Sequence, residues 1–358
     1  MLSSDNKETF LSIVRLGIGH HAGVQTQNVD WNAIETLAAE QGLSAVIVDG
    51  VDRLPLELRP PKPILLQWIG ETFQGYEYRY ELYCRTIAEM AAFYNEHGFK
   101  MMVLKGYACS LDWPKPKHRP TGDIDIWLFG KQKETDALLS KEKGIKIDKD
   151  RHHHTVFYWR DFMVENHYDF INTHRHISHQ GLEDILKELG QDDTHFVELY
   201  GEKVYLPSAN LHALFLIRHA LNHFASIGIS VRQVLDWAFF VEKHTKEVDW
   251  NWLLKVLEEY HMKEFFNIIN AICVEDLGFP VSIFPSVKFE PRLKDKVWND
   301  IIAPEYSLEE PRGLIRKYLY RYKRWQGNAW KQDLCYKESR TGAFWLGVKA
   351  KLVRPTLK

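Results

Sequence analysis

The sequence predicts an α+β protein, with a small mixed β-sheet core embedded between N-terminal and C-terminal helical regions. Three observations lead there. Apolar residues recur at helical spacing up to Gly98 and again beyond Pro207. Between Lys100 and Phe170 the texture changes to short runs in which alternate side chains are apolar, the pattern of half-buried strands. The 358 residues are 45% hydrophobic and 26% charged, an ordinary globular balance that excludes a mainly disordered chain.

Residues 1–98 read as a helical region. Asp30 in Val29-Asp30-Trp31-Asn32 is suited to cap a helix carrying Ile34, Leu37 and Ala38. The tetrapeptide returns as Val248-Asp249-Trp250-Asn251, ahead of Leu253, Leu254 and Leu257, and each Trp is expected to anchor a core. Four prolines between Pro55 and Pro63 mark a connector. A long helix is expected from Ile64 to Glu96, ended by Gly98, where positive φ costs a glycine little.

Residues 99–206 form the α/β unit. Met101–Leu104 is a buried strand, Lys105-Gly106 breaks it, and Tyr107–Leu111 is a helical turn or two. Asp112–Gly122 holds three prolines and reads as loop. Asp123–Leu128 is a strand, followed by a helix over Gln132–Lys141. Strands His154–Trp159 and Phe162–Phe170 join through Arg160-Asp161. A helix at Gly181–Leu189 and a strand pair over Val197–Leu206 complete the unit. Residues 207–300 are helical again, and 301–358 are a basic, aromatic tail with a helix to about Lys323.

At about 100–200 residues per domain, the chain is long enough for two or three domains or one elaborated domain. No apolar run reaches the ~18 residues of a membrane span. The N-terminus has neither the basic nor the apolar segment of a signal peptide. Four scattered cysteines form no C-x-x-C pair, which argues against a zinc ribbon and suits a reducing cytoplasm. The 46 Lys+Arg against 48 Asp+Glu give a net charge of −2, but the distribution is uneven. From Pro311 onward there are 13 basic and 2 acidic residues, net +11, so the preceding chain carries −13.

The chemistry concentrates in Arg119-Pro-Thr-Gly-Asp-Ile-Asp-Ile-Trp-Leu128. Asp123 and Asp125 share one strand face, while Ile124, Ile126 and Leu128 point into a core. Two carboxylates side by side repel unless a divalent cation lies between them, and Mg²⁺ suits such hard oxygen ligands. Met163, Glu165, His167 and Asp169 share a face of a nearby strand, and Glu165 is the expected third carboxylate. Lys105-Gly106 sits where a strand meets a helix N-terminus, a place for phosphate.

Strand–Lys-Gly–helix, then Arg119-x-x-x-Asp123-Ile-Asp125, then Val164-Glu165-x-His167, resembles the nucleotidyltransferase superfamily with the polymerase-beta-like fold. More narrowly, it resembles the uncharacterised bacterial nucleotidyltransferase family. His219-Ala-Leu-Asn-His223, Val231–Ala238 and Val248-Asp-Trp250 extend the likeness over roughly residues 10–300. The resemblance implies that Asp123, Asp125 and Glu165 hold Mg²⁺ or Mn²⁺, with Glu165 activating an acceptor hydroxyl. It implies a nucleoside triphosphate as substrate, ATP being the first expectation, bound near Lys105, Gly106, Arg119, His154 and His167. Arg119 has a planar fork suited to phosphate, and pairing with a nearby acid is its equal alternative. Small hydroxylated metabolites, sugars and protein side chains are all open as acceptors. Two departures from the superfamily concern the nucleotide's pose: Tyr107 follows Gly106 where many members have serine, and the loop to Asp123 is long. The rival reading is a non-catalytic nucleotide- or partner-binding module that keeps the fold.

Other clusters compete for attention. His152-His153-His154 and the spaced His174, His176 and His179 suggest metal, but adjacent strand residues alternate faces. Most are expected at the polar surface, with His154 or His152 lining the nucleotide cleft. His219 and His223 have the spacing of a helical zinc pair but lack the glutamate of His-Glu-x-x-His, so packing or hydrogen bonding is expected. Gly17-x-Gly19-x-x-x-Gly23 has the wrong spacing for a dinucleotide loop, and no P-loop motif is present. Arg232 and Asp236 read as a surface i,i+4 pair, and the resemblance implies instead a structural role between the helical half and the α/β unit. The basic aromatic tail is expected to be solvated and to dock on the acidic body, with nucleic acid or anionic lipid as alternative partners.

Overall fold

The computed structural model describes residues 4–24, 29–173, 179–306, 311–339, 341–342 and 346. Three helices open the chain: α1 (Ser4–Gly17), α2 (Trp31–Gln41) and α3 (Ser44–Asp52). The Asp30 carboxylate accepts from Asn32 N and Ala33 N at 3.1 and 3.2 Å, so α2 starts at the aspartate cap. Helices α1 and α3 cross through glycine. A Cβ on Gly17 would stand 2.2 Å from the Val46 carbonyl oxygen, and one on Gly50 2.1 Å from that of Ile13.

A long helical rod follows, built of α4 (Lys62–Glu71), a π-helical stretch (Thr72–Tyr78) and α5 (Arg79–Glu96). It ends at Gly98, whose φ is +75°, while Phe99 N reaches back to Tyr94 O. The α/β unit then gives β1 (Met102–Val103), α6 (Tyr107–Ser110), β2 (Ile124–Trp127), α7 (Gln132–Lys143), β3 (His154–Trp159), β4 (Phe162–His167), α8 (Gln180–Leu189), β5 (Phe196–Leu199) and β6 (Glu202–Tyr205). The strands form one six-stranded sheet in the order β3-β4-β2-β1-β6-β5. Pairs β2–β4 and β1–β6 are parallel and the other three antiparallel, so the sheet is mixed. Strand β4 ends at His167, three residues before the expected Phe170, because the chain turns to bring Phe170 against Trp127.

Helices α9 (Ala209–Ser226), α10 (Val231–His244), α11 (Trp250–Glu259), α12 (Lys263–Glu275) and α13 (Pro291–Ile302) form the C-terminal half. The tail carries α14 (Leu314–Gly327), longer than expected, and α15 (Ala329–Cys335). Trp31 and Trp250 are half-buried rather than central, each edge-on to another indole, Trp68 and Trp237.

The sheet separates two apolar cores. Ile124, Ile126, Leu128 and Val164 pack with Tyr83, Ile87 and Tyr94 of α5 and Leu139 of α7. On the other face, Met102, Leu104, Trp127 and Tyr205 join a larger core shared by the N-terminal and C-terminal helices. Buried Asp136 of α7 accepts from Asn166 and Thr155 at 2.9 Å each, which ties α7 to β3 and β4. No helix among the described residues is long and apolar enough to cross a membrane.

The glycine crossing predicts that Gly50→Ala forces α1 and α3 apart and lowers stability by about 1–3 kcal/mol in urea unfolding. An unchanged midpoint would show that the crossing relaxes freely.

Candidate functional site

The acidic face of the sheet looks towards α9 and α10, and a cavity of about 630 Å³ lies between them. The parallel register sets Asp125 directly opposite Glu165, and Trp127 opposite His167. With a side-chain period of two, both carboxylates and the imidazole emerge on the cavity side. Asp123 lies just ahead of β2, half-buried at the cavity's edge, and its carbonyl accepts the Tyr83 hydroxyl at 2.9 Å.

Asp125 is 1% exposed. Lys105 Nζ lies 3.0 Å and His167 Nε2 3.1 Å from its Oδ1. Burial opposes its ionisation, but Lys105 and His167 prevail and hold it well below the usual carboxylate range. Its Oδ2 is buried and takes no hydrogen bond. Asp123 is pushed up, first by the charge of Asp125 and then by burial. Burial and then Asp125 raise Glu165 to about 7. Burial alone would lower His167, yet its hydrogen bond to Asp125 keeps it raised. Lys105 is likewise raised: its neighbouring carboxylates outweigh desolvation.

Ligand atoms of Asp125, Glu165 and His167 lie within 4.8 Å of one another. That trio differs from the expected Asp123, Asp125 and Glu165, because His167 rather than Asp123 completes the close cluster. An open buried carboxylate oxygen beside a second carboxylate fits a hard divalent cation.

Gly106 has φ +62°, and a Cβ there would meet the Tyr83 hydroxyl at 2.3 Å. Glycine is therefore demanded by α5 below it as well as by its own backbone. Arg119 lines the cavity, but its guanidinium donates to both oxygens of Asp236, at 2.7 and 2.9 Å. Of the two partners expected for this fork, phosphate or a nearby acid, the structure shows the acid. Trp113 Nε1 donates to the same carboxylate at 2.9 Å, and Arg232 lies 3.7 Å away. Burial would raise Asp236, yet Arg119 holds it below its usual range. Arg232 and Asp236 are accordingly part of a buried cluster that joins the helical half to the α/β unit, the second of their two expected roles.

Of the two histidines expected at the cleft, His154 lines the cavity and His152 does not; His153, expected at the polar surface, lines it as well. Strand β3 begins only at His154, and the carbonyl of His153 accepts from Tyr168 N and Asp169 N. Face alternation therefore does not apply to that pair. The two rings are 4.4 Å apart and lie 5.5 and 5.3 Å from that of His167. Burial, then the charge of His167, lowers His153 to about 2 and His154 to about 3, so both are neutral. His219 and His223 form another wall of the cavity, their rings 4.2 Å apart, with His219 Nε2 3.4 Å from Lys105 Nζ. Burial holds His219 well below its ordinary value, and burial and then Lys105 lower His223 to about 4. His179 is buried against the Tyr336 ring, whereas His174 and His176 lie outside the described residues.

Beyond β4, the cavity wall at Phe170 and Ile171 is fixed by buried Glu183, whose two oxygens accept their backbone N–H groups at 2.9 Å. Burial pushes Glu183 up to about 7.

The site is thus a mixed sheet that carries Asp-x-Asp opposite Glu-x-His and is closed by helices. The family profile described as "Uncharacterised nucleotidyltransferase" matches residues 27–278, most of the chain. The protein belongs to that family. No curated protein matches the chain significantly. Among solved structures, an antigenic nucleotidyltransferase-like protein from Paracoccidioides brasiliensis is similar at 15% identity, over 44% of this chain and 75% of that one. Its TM-score of 0.32 is too low to support an argument from structure.

Two predictions follow from the supports of the cavity. Asp236→Ala strands Arg119 as a buried unpaired cation and should cost about 3–5 kcal/mol in urea unfolding; a loss within experimental error would mean that water already screens the pair. Glu183 holds its proton to about 7 when folded, against an ordinary 4.5. The stability this gives is complete below the lower value and is lost as pH rises towards the upper one. Glu183→Gln does not titrate, so it should gain on the native protein by up to about 3 kcal/mol from pH 4 to pH 8. A constant difference across that range would contradict the raised value.

Proposed function

We propose that the protein transfers a nucleoside monophosphate from a nucleoside triphosphate to an acceptor hydroxyl at the carboxylate face of the sheet. The observation that carries this is the pairing of Asp125 and Glu165 across parallel strands, with Asp125 Oδ2 open and buried in the cavity. Asp125 and Glu165, with Asp123 at the edge, would hold Mg²⁺ or Mn²⁺, which supplies neutralisation of phosphate charge and polarisation at phosphorus.

The chain's own groups have distinct tasks in this reading. Lys105 sits beside the acidic cluster, where its charge serves a triphosphate. The acceptor oxygen bonds to the α-phosphorus as the bond to the β-phosphate's bridging oxygen breaks, releasing pyrophosphate. Glu165, opposite Asp125 across the parallel strands, takes the hydroxyl proton as general base. The neutral rings of His153 and His154 give the cavity hydrogen-bonding edges without repelling a metal. ATP is the first nucleotide to test. A sugar, a small hydroxylated metabolite or a protein side chain would each supply the hydroxyl.

One observation favours a second reading, a nucleotide-binding module without catalysis. Lys105 and His167 already balance Asp125 from 3.0 and 3.1 Å, so its charge is satisfied without a cation.

Thermal unfolding with each of the four nucleoside triphosphates, with Mg²⁺ or Mn²⁺, should show metal-dependent stabilisation by at least one. Pyrophosphate release should then fall at least about a hundredfold in Asp125→Asn, which keeps the side chain's shape. Undiminished release by that variant, or no response to any triphosphate, would sink the enzyme reading. Stabilisation without release would leave the binding module.

A further inference from the structure

Helix α14 has an apolar face turned away from the rest of the protein. Leu314, Ile315, Tyr318, Leu319, Tyr322 and Trp325 are each 47% exposed or more. At 100° per residue they fall within one arc of about 140°. The opposite side of the helix faces the protein. Gly327 packs on the Tyr306 ring so closely that a Cβ would stand 2.3 Å from it, the Tyr320 and Tyr306 rings are 6.3 Å apart, and Arg324 donates to the Ser226 carbonyl at 3.1 Å. Cations border the apolar arc on both sides, Arg316 and Lys323 on one and Lys317 and Arg321 on the other. Helix α15 anchors this arrangement: Lys331 is buried 2.6 Å from Asp300, and Leu334, Cys335 and Tyr336 are buried with it.

We infer that α14 is a membrane-surface helix that lays this face into the headgroup region of a bilayer rich in anionic lipid. Its chemistry matches that partner in three ways. Tyr318 and Tyr322 occupy the middle of the arc, between Leu314 and Trp325 on one side and Ile315 and Leu319 on the other, and tyrosine and tryptophan favour the boundary between hydrocarbon and water. Arg316 and Lys323 have long stems that reach from the apolar level to anionic phosphate. The 14 residues span about 21 Å, too short to cross the roughly 30 Å hydrocarbon core, so the helix lies along the surface.

Charge also argues against other occupants. A second copy would set cation-flanked arcs against each other, and residues 343–358 carry Lys349, Lys351, Arg354 and Lys358 with no acid. RNA could stack on Tyr318, Tyr322 and Trp325, but it would leave Leu314, Ile315 and Leu319 uncovered, since these neither stack on bases nor hydrogen-bond to them.

The test is flotation of the full chain with vesicles of phosphatidylcholine alone or mixed with phosphatidylglycerol. The chain should float with the anionic vesicles and far less with the neutral ones. Ile315→Glu with Leu319→Glu places two acids at exposed positions, so thermal unfolding should be unchanged while vesicle affinity falls at least about tenfold. Arg316→Glu with Lys323→Glu should weaken binding to anionic vesicles selectively. Failure of the native chain to float, or equal flotation of the Ile315→Glu, Leu319→Glu chain, would overturn the inference. So would a native dimer that this double variant dissolves, or RNA binding that it abolishes.

Discussion

A carboxylate with almost no access to solvent must be compensated, and the compensation of Asp125 fixes much of the surrounding structure. Lys105 comes from the turn after β1, and His167 from the end of β4. They reach the same oxygen only because β1 pairs antiparallel and β4 parallel to β2. A slip of one residue in β4 would turn Glu165 and His167 into the apolar core and bring Val164 and Asn166 to the cavity. The electrostatic requirement at Asp125 and the packing requirement beneath it therefore select the same register. Asn166, with its amide on Asp136, adds a polar lock on the opposite face.

A second buried charge organises the long segment between the turn and the Asp-x-Asp strand. Asp236 gathers Arg119 and Trp113 from that segment and holds them to α10. Nearby, His118 bridges Asp49 of α3 and Glu77 of the π-helical stretch at 2.6 and 2.9 Å. Burial would neutralise this imidazole, but the hydrogen bond to Asp49 raises its pKa. A proline-rich loop with little backbone structure of its own is thus set by ion pairs to three helical elements. A phosphate ligand for Arg119 would have to compete with a bidentate carboxylate already in place.

The strand chemistry was legible because its rule is local. A period of two placed Asp123 and Asp125 against Ile124 and Ile126, and the same rule paired Glu165 with His167 against Val164. Helix bounds followed for similar reasons, from the Asp30 cap and the glycine at position 98. What was hidden depends on residues far apart in sequence. The partner of Arg119 lies 117 positions away, and the Tyr83 hydroxyl that crowds Gly106 comes from a helix upstream. His153 was misplaced because alternation was extended beyond the strand's first residue. His219 and His223 carried a visible spacing, but nothing local showed that α9 closes the cavity. Gly17 failed as a nucleotide motif and has a packing reason that only the α3 crossing reveals.

The uneven charge acquires a structural meaning once the tail is divided. Lys331 is drawn into the protein by Asp300, so part of the excess positive charge serves internal pairing. The cations of α14 instead border an apolar strip whose opposite side is already docked. Intramolecular attraction alone would turn the apolar side inward, since burial of six large side chains would be worth several kcal/mol. The helix does the reverse: it docks through Tyr320, Arg324 and Gly327 and leaves the strip outside. If α14 is the membrane-surface helix inferred above, a partner of opposite charge accounts for the strip's borders as well as its centre.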